Sequence, residues 1–153
     1  IDLVAASLSD ADAANAPLYQ RAAADFKQIV QNRGAEVKAR LAKEELGKVN
    51  VLCADQLAGF AQWAGLNVVS VFGRPETLTP QIVKELVDKG REAEVTLVID
   101  NLQSGQDAGA GIAEELDCKR VILTNFPGGF ENTETWEKAV ERDVDIILGA
   151  VRK

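Results

Sequence analysis

VNVLCADQLAGFAQWAGLNVVSVF, residues 49–72, decides the fold. Its two ends, 49–53 and 68–72, are short apolar runs rich in valine with no regular polar alternation, which is how strands buried on both faces read. The middle, from Asp55 to Ala64, reads as a helix stopped by Gly65. A strand, a helix and a second strand in this order form a crossover unit, and its strands run parallel.

Working outward, the same alternation continues. After 68–72, Gly73 and Pro75 lead to a helix with Thr79 as N-cap and Pro80 in its first position, ending near Gly90. The run VTLVI (95–99) is followed by 100–103 and a helical pattern to about Leu116. The run VILT (121–124) is followed by the loop NFPGGFEN and a last helix from about Thr133 to Val151. The expected class is therefore α/β: a four-stranded parallel sheet with flanking helices. In such a sheet a ligand site lies beyond the carboxyl ends of the strands. The residues placed there are Cys53, Ala54 and Asp55; Gly73 and Arg74; Asp100 and Asn101; and 125–129.

Upstream stands one long amphipathic segment. Asp10, Asp12 and Asn15 offer capping oxygens and Pro17 falls in a first turn. Leu18, Ala22, Phe26, Ile29, Val30, Val37 and Leu41 then recur at helical spacing, and Gly47 offers a C-cap. A helix over 12–41 would be about 45 Å long, more than four short strands can cover. It reads as a spine. Residues 1–9 read as the last turns of a preceding helix, so the expected division is 1–47, helix end and spine, and 48–153, the α/β lobe. The chain has no methionine, and we expect it to be a piece of a longer protein.

Composition excludes several functions. A net charge of -7 disfavours nucleic acid and anionic membranes as partners. No apolar stretch reaches the ~20 residues of a membrane helix. The complete lack of histidine removes Ser/His/Asp and Cys/His nucleophilic sites and the commonest zinc ligand. Cys53 and Cys118 lack zinc-finger spacing. They are expected at opposite edges of the sheet, too far apart to bridge.

Each candidate site has a plainer structural reading beside it. Gly105, Gly109 and Gly111 match neither the dinucleotide fingerprint nor the phosphate loop, and read as close packing and loop flexibility. Asp55 reads as the cap of the helix it opens, Asp100 as either a loop cap or a ligand contact, and Cys53 as a small buried residue. Trp63 and Trp136 read as core. The loop 126–130 reads first as a turn, and its place at a strand end makes it a candidate cleft wall.

Four phrases together carry a resemblance: SLSDADAANAPLYQRAAADF (7–26), ADQLAGFAQWAGLNVVSV (54–71), LVIDNLQSGQDAGAGIAEEL (97–116) and VILTNFPGGF (121–130). In order and spacing they resemble the carboxyl-terminal lobe, with its backbone helix, of the solute-binding proteins of ABC-type zinc and manganese importers. The resemblance implies a Rossmann-like lobe and an extracytoplasmic binding protein, periplasmic or anchored at the cell surface. It implies as partners an amino-terminal lobe and a membrane permease, and zinc or manganese as the cargo of the intact two-lobe protein. Set onto this sequence, the family's metal-binding histidine falls on Ala54, its strand-end glutamate on Asn101 or Asp100, and its late aspartate on Asn125. A methyl group cannot ligate, and amides are weak substitutes for carboxylates around a divalent cation. Asp100 and Asp55 remain as anionic metal candidates, with Cys53, Ala54, Asn101 and Asn125 lining the cleft. The expectation is a binding module and no enzyme. The alternatives are a lobe of the same fold that takes a non-metal solute or acts as an interaction module, and a Rossmann-like enzyme.

Overall fold

Four parallel strands, β1 (Asn50–Ala54), β2 (Asn67–Phe72), β3 (Leu97–Asn101) and β4 (Lys119–Leu123), lie in the order β2-β1-β3-β4. The computed structural model describes residues 1–152. The helices are α1 (Asp2–Ala11), α2 (Ala16–Leu41), α3 (Ala58–Ala64), α4 (Pro80–Glu92), α5 (Leu102–Gly105), α6 (Ala110–Glu115) and α7 (Trp136–Val151). This is the expected α/β class.

The core follows from the strand alternation. Leu52, Ala54, Phe72 and Val98 face one side, packing with Leu86 and Val87 of α4 and Ile112 and Ala113 of α6. Their neighbours Val51, Cys53, Leu97 and Ile99 point the other way and are also buried. That face belongs to α3, against β1 and β2, and to α7, against β4. Burying each such aliphatic side chain contributes about 1.5–3 kcal/mol.

Element ends depart from the expectations for identifiable reasons. The helix expected to run to Leu116 is two pieces, broken where Gly105 takes φ +135 and packs on the Pro75 ring. β4 ends at Leu123, because the Thr124 N–H donates to the Asp143 carboxylate in place of a strand partner. The last helix begins at Trp136 with Thr135 as its cap, while Thr133 is occupied by Phe130: its hydroxyl accepts from Phe130 N and donates to Phe130 O. Gly47 caps no long helix. α2 stops at Leu41, and a short 3-10 turn over Leu46–Lys48 seats the buried Leu46.

The chain divides into two units, Ile1–Ala39 and the remainder from Arg40 onward. In the first, Lys27 pairs with Asp2 at 2.7 Å, and Asp12 accepts from Asn15 Nδ2 and Tyr19 OH. Asp12 therefore ties side chains together and does not cap α2 directly. At 26 residues α2 is about 39 Å long. Along it Leu18 is 62% exposed, Ile29 52% and Phe26 41%. Among the described residues no helix is long and apolar enough to cross a membrane.

Candidate functional site

β1 leads through α3 to β2 on one side, and the chain then returns past β1 to β3. The order therefore reverses between β1 and β3, and their carboxyl ends form the crevice of a doubly wound sheet. Cys53 pairs with Ile99 across that boundary, so Ala54 and Asp55 on one side stand level with Asp100 and Asn101 on the other. Asn101 in turn pairs with Leu123, which sets Asn125 just beyond.

Cys53 is fully buried, its thiol donating to the Ala54 carbonyl at 3.3 Å. Burial, aided by the Asp100 and Asp55 charges, pushes the thiol up to about 12, so it stays protonated. Ala54 offers only a buried methyl. Asp55 does not cap the helix it opens: Ala54 holds the cap position, no side-chain cap bond forms, and the Asp55 carboxylate is exposed. Cys118 precedes β4, at the other edge of the sheet, and both thiols are free.

Asp100 has no exposed surface, and both its oxygens are held. Oδ1 accepts from Gly109 N at 2.7 Å and Oδ2 from Arg120 Nη1 at 2.8 Å. Burial raises its pKa, against the opposing pull of Arg120 and of the Gly109 N–H. The sequence left Asp100 between loop cap and ligand contact, and the geometry gives it an internal ion pair. Gly109 must be glycine here, since a Cβ would lie 2.5 Å from Val98 Cγ1 and 3.0 Å from Asp100 Oδ1.

Asn101 is equally buried. Its Oδ1 accepts from Gln103 N at 2.7 Å and Ser104 N at 3.0 Å, capping α5. Those two donors fix the amide orientation, and its Nδ2 is left without a partner. Gln103 then ties β3 to the loop after β4: its Nε2 donates to Thr124 Oγ1 at 2.6 Å and its Oε1 accepts from Asn125 N at 3.2 Å. Ser104 Oγ donates to Gln56 Oε1 at 3.0 Å, closing the reversal between β1 and β3.

Beside this edge lies a cavity of about 240 Å³ between the start of α3, the 124–127 loop and α7. Phe60, Phe126 and Trp136 line it, with Gln56, Asn125 and Asp143 as polar groups. Trp136 was expected in the core and is instead a half-buried wall at the first turn of α7. Asp143 is 3% exposed, accepts from Thr124 N at 3.0 Å, and is pushed by burial to a pKa of about 7. Sequence reading missed it, although a signal existed. Asp143 sits between Ala139 and Ile147 at spacings of four, a lone carboxylate on the buried stripe of α7.

Of the metal candidates, then, Asp55 faces solvent and Asp100 faces Arg120. Among the described residues no group of three or more His, Cys, Asp or Glu could hold a metal ion.

Comparison with solved structures supports the architecture. The manganese complex of the solute-binding protein FpvC from Pseudomonas aeruginosa matches 98% of this chain with a TM-score of 0.79 at 21% identity. Its nickel complex matches 97% with a TM-score of 0.76 at 21% identity. The cadmium-bound periplasmic metal binding protein from Candidatus Liberibacter asiaticus matches 95% with a TM-score of 0.75 at 14% identity. The chain spans only 56–57% of the length of these proteins. A comparison with curated protein sequences found no match. The profile of the family described as zinc-uptake complex component A, periplasmic, matches residues 1–150, and the chain belongs to that family.

Proposed function

We propose that this chain is the carboxyl-terminal lobe, with its spine helix, of an extracytoplasmic solute-binding protein serving an ABC importer of the metal-ion type. The observation that carries the reading is the family match over 1–150 on a sheet whose order reverses at the β1–β3 edge. In this reading 1–47 supply the helix end and spine, and 48–153 the lobe. Cys53, Ala54, Asp55, Asp100, Asn101 and Asn125 stand at its side of the cleft, with Asp55 and Asn125 exposed there and the other four buried beneath them. The remaining partners are an amino-terminal lobe, which closes the cleft over zinc, manganese or another small solute, and a membrane permease that accepts the loaded protein. In this reading the work is binding, as in the family the chain belongs to, and a Rossmann-like enzyme is disfavoured because the sequence carries no phosphate loop, histidine base or paired catalytic carboxylates. The test is ATPase stimulation of the cognate permease, reconstituted in proteoliposomes, by the intact protein. Stimulation that requires loaded solute supports the reading, and none under any loading sinks it.

A second reading has a specific observation behind it. Ala54 offers a methyl, Asn101 is occupied as a helix cap, and both Asp100 oxygens are held internally. A lobe so arranged suits a solute that does not need carboxylate or imidazole ligands from this side.

A further inference from the structure

α5 (Leu102–Gly105) follows β3, and its residues reach the segments that follow all three other strands. Gly105 packs on Pro75, after β2. Ser104 Oγ donates to Gln56 Oε1, after β1, at 3.0 Å. Gln103 reaches the other way, to the segment after β4: its Nε2 donates to Thr124 Oγ1 at 2.6 Å and its Oε1 accepts from Asn125 N at 3.2 Å. That threonine hydroxyl is fully used. It also accepts from Phe126 N at 3.2 Å and donates to Phe126 O at 2.9 Å. The far arm of the loop closes over the same bond, since a Cβ on Gly129 would run into Thr124 Oγ1 and stand 2.9 Å from Gln103 Nε2.

Gln103 is exposed, so its aliphatic part adds little to the core, yet both polar ends of its side chain are held, at the cost of rotamer freedom. What those bonds fix is the start of a loop, and loops are ordinarily the mobile part of a fold. Asn125, the first exposed residue of that loop, stands just beyond the strand edge that borders the crevice. A wall ordered before a solute arrives spares the cost of ordering it on binding. We propose that Gln103 is a positioning residue, which through Thr124 and the Asn125 backbone sets the loop after β4 as a preformed wall of the cleft and so strengthens cargo binding without touching the cargo. The inference rests on the solute-binding reading, with zinc as the cargo, and deepens it by one residue.

Amide hydrogen exchange of the chain, followed by NMR, and calorimetric titration of the intact two-lobe protein with zinc chloride decide it. Gln103→Met keeps the length of the side chain and removes both polar ends. It should speed exchange of the Asn125 amide about tenfold while Val98 and Ile99 of β3 change by less than about twofold. In the intact protein the same substitution should weaken zinc about fivefold. Thr124→Val, which removes the hydroxyl that Gln103 meets, should act in the same direction, and Thr124→Ser, which keeps it, should restore wild-type behaviour. A purely structural bond would speed Asn125 and β3 together and leave zinc affinity unmoved in the folded protein. That pattern, or an Asn125 amide indifferent to Gln103→Met, would overturn the proposal. The permease assay reads the solute-binding function separately: solute-dependent stimulation with zinc affinity unmoved by Gln103→Met removes this inference alone, and no stimulation under any loading removes the reading beneath it.

Discussion

Arg120 on β4 donates from Nη1 to Asp100 Oδ2 on β3 at 2.8 Å, and the carboxylate it meets has no exposed surface. Arg120 pairs in register with Val98, two residues before Asp100, so the period of two puts both charges on one face of the sheet. The strand-end carboxylate best placed to reach a solute is therefore turned into the fold, toward α6.

Replacing Arg120 with alanine leaves that carboxylate buried with only the Gly109 N–H. Loss of one partner of a buried pair costs about 3 kcal/mol, and a drop of that size in urea unfolding free energy is the expected result. A change below about 0.5 kcal/mol, the range of ordinary surface substitutions, would show that the pair is not a structural element.

Asp143 gives a pH signature. Its folded pKa, pushed by burial to about 7, stands above the ordinary carboxylate value of 3.8. Below that ordinary value both states hold the proton. As pH rises from 3.8 toward about 7 the unfolded chain loses it first, so ionisation favours unfolding throughout that window. Asp143→Asn keeps an acceptor for Thr124 N and removes the titration. The variant should gain stability relative to the wild type across that window, measured as the difference in urea midpoints. A constant difference would contradict the assignment.

Two glycines of one motif should respond in opposite directions. A Cβ on Gly109 would stand 2.5 Å from Val98 Cγ1, whereas one on Gly111 meets nothing within 4 Å. Gly109→Ala should destabilise by about 1–3 kcal/mol through overpacking. Gly111→Ala, in α6, should stabilise by about 0.5–1 kcal/mol. Thermal melts of the two variants check both signs.

The order of elements was legible because it rests on hydrophobic periodicity, which survives without tertiary information: runs 49–53 and 121–124 overlap β1 and β4. What escaped the sequence was set by contacts between distant residues. The break at Gly105 depends on Pro75, the end of β4 on Asp143, and the fate of Asp100 on Arg120. Asp55 looked like a cap because a carboxylate opened a helix. The chain enters a 3-10 turn over Asp55–Leu57 first, and with Ala54 at its cap Asp55 sits inside the turn, off the cap position. The aromatic cavity was half visible, in the loop 126–130, and its carboxylate was a missed irregularity in an otherwise apolar stripe.

The exposed Leu18 and Ile29 on α2 predict self-association of the isolated chain. Sedimentation should show a concentration-dependent larger species that Leu18→Lys with Ile29→Lys abolishes. A strict monomer at millimolar concentration would argue against a covered face on this helix.

The central claim, that this chain keeps the family's fold while no three of its described His, Cys, Asp or Glu residues group to hold a metal ion, is tested most directly by calorimetric titration of the chelator-treated chain with zinc chloride. Tight zinc sites need about four converging N, S or O ligands, and this edge presents Ala54, Asn101 and Asn125 where the resemblance sets the family's ligands, with Asp100 bound to Arg120. The account predicts no saturable binding, or a weak isotherm that Asp55→Ala leaves unchanged. Saturable one-to-one binding at submicromolar Kd, lost in Asp100→Ala while the variant remains folded, would contradict it.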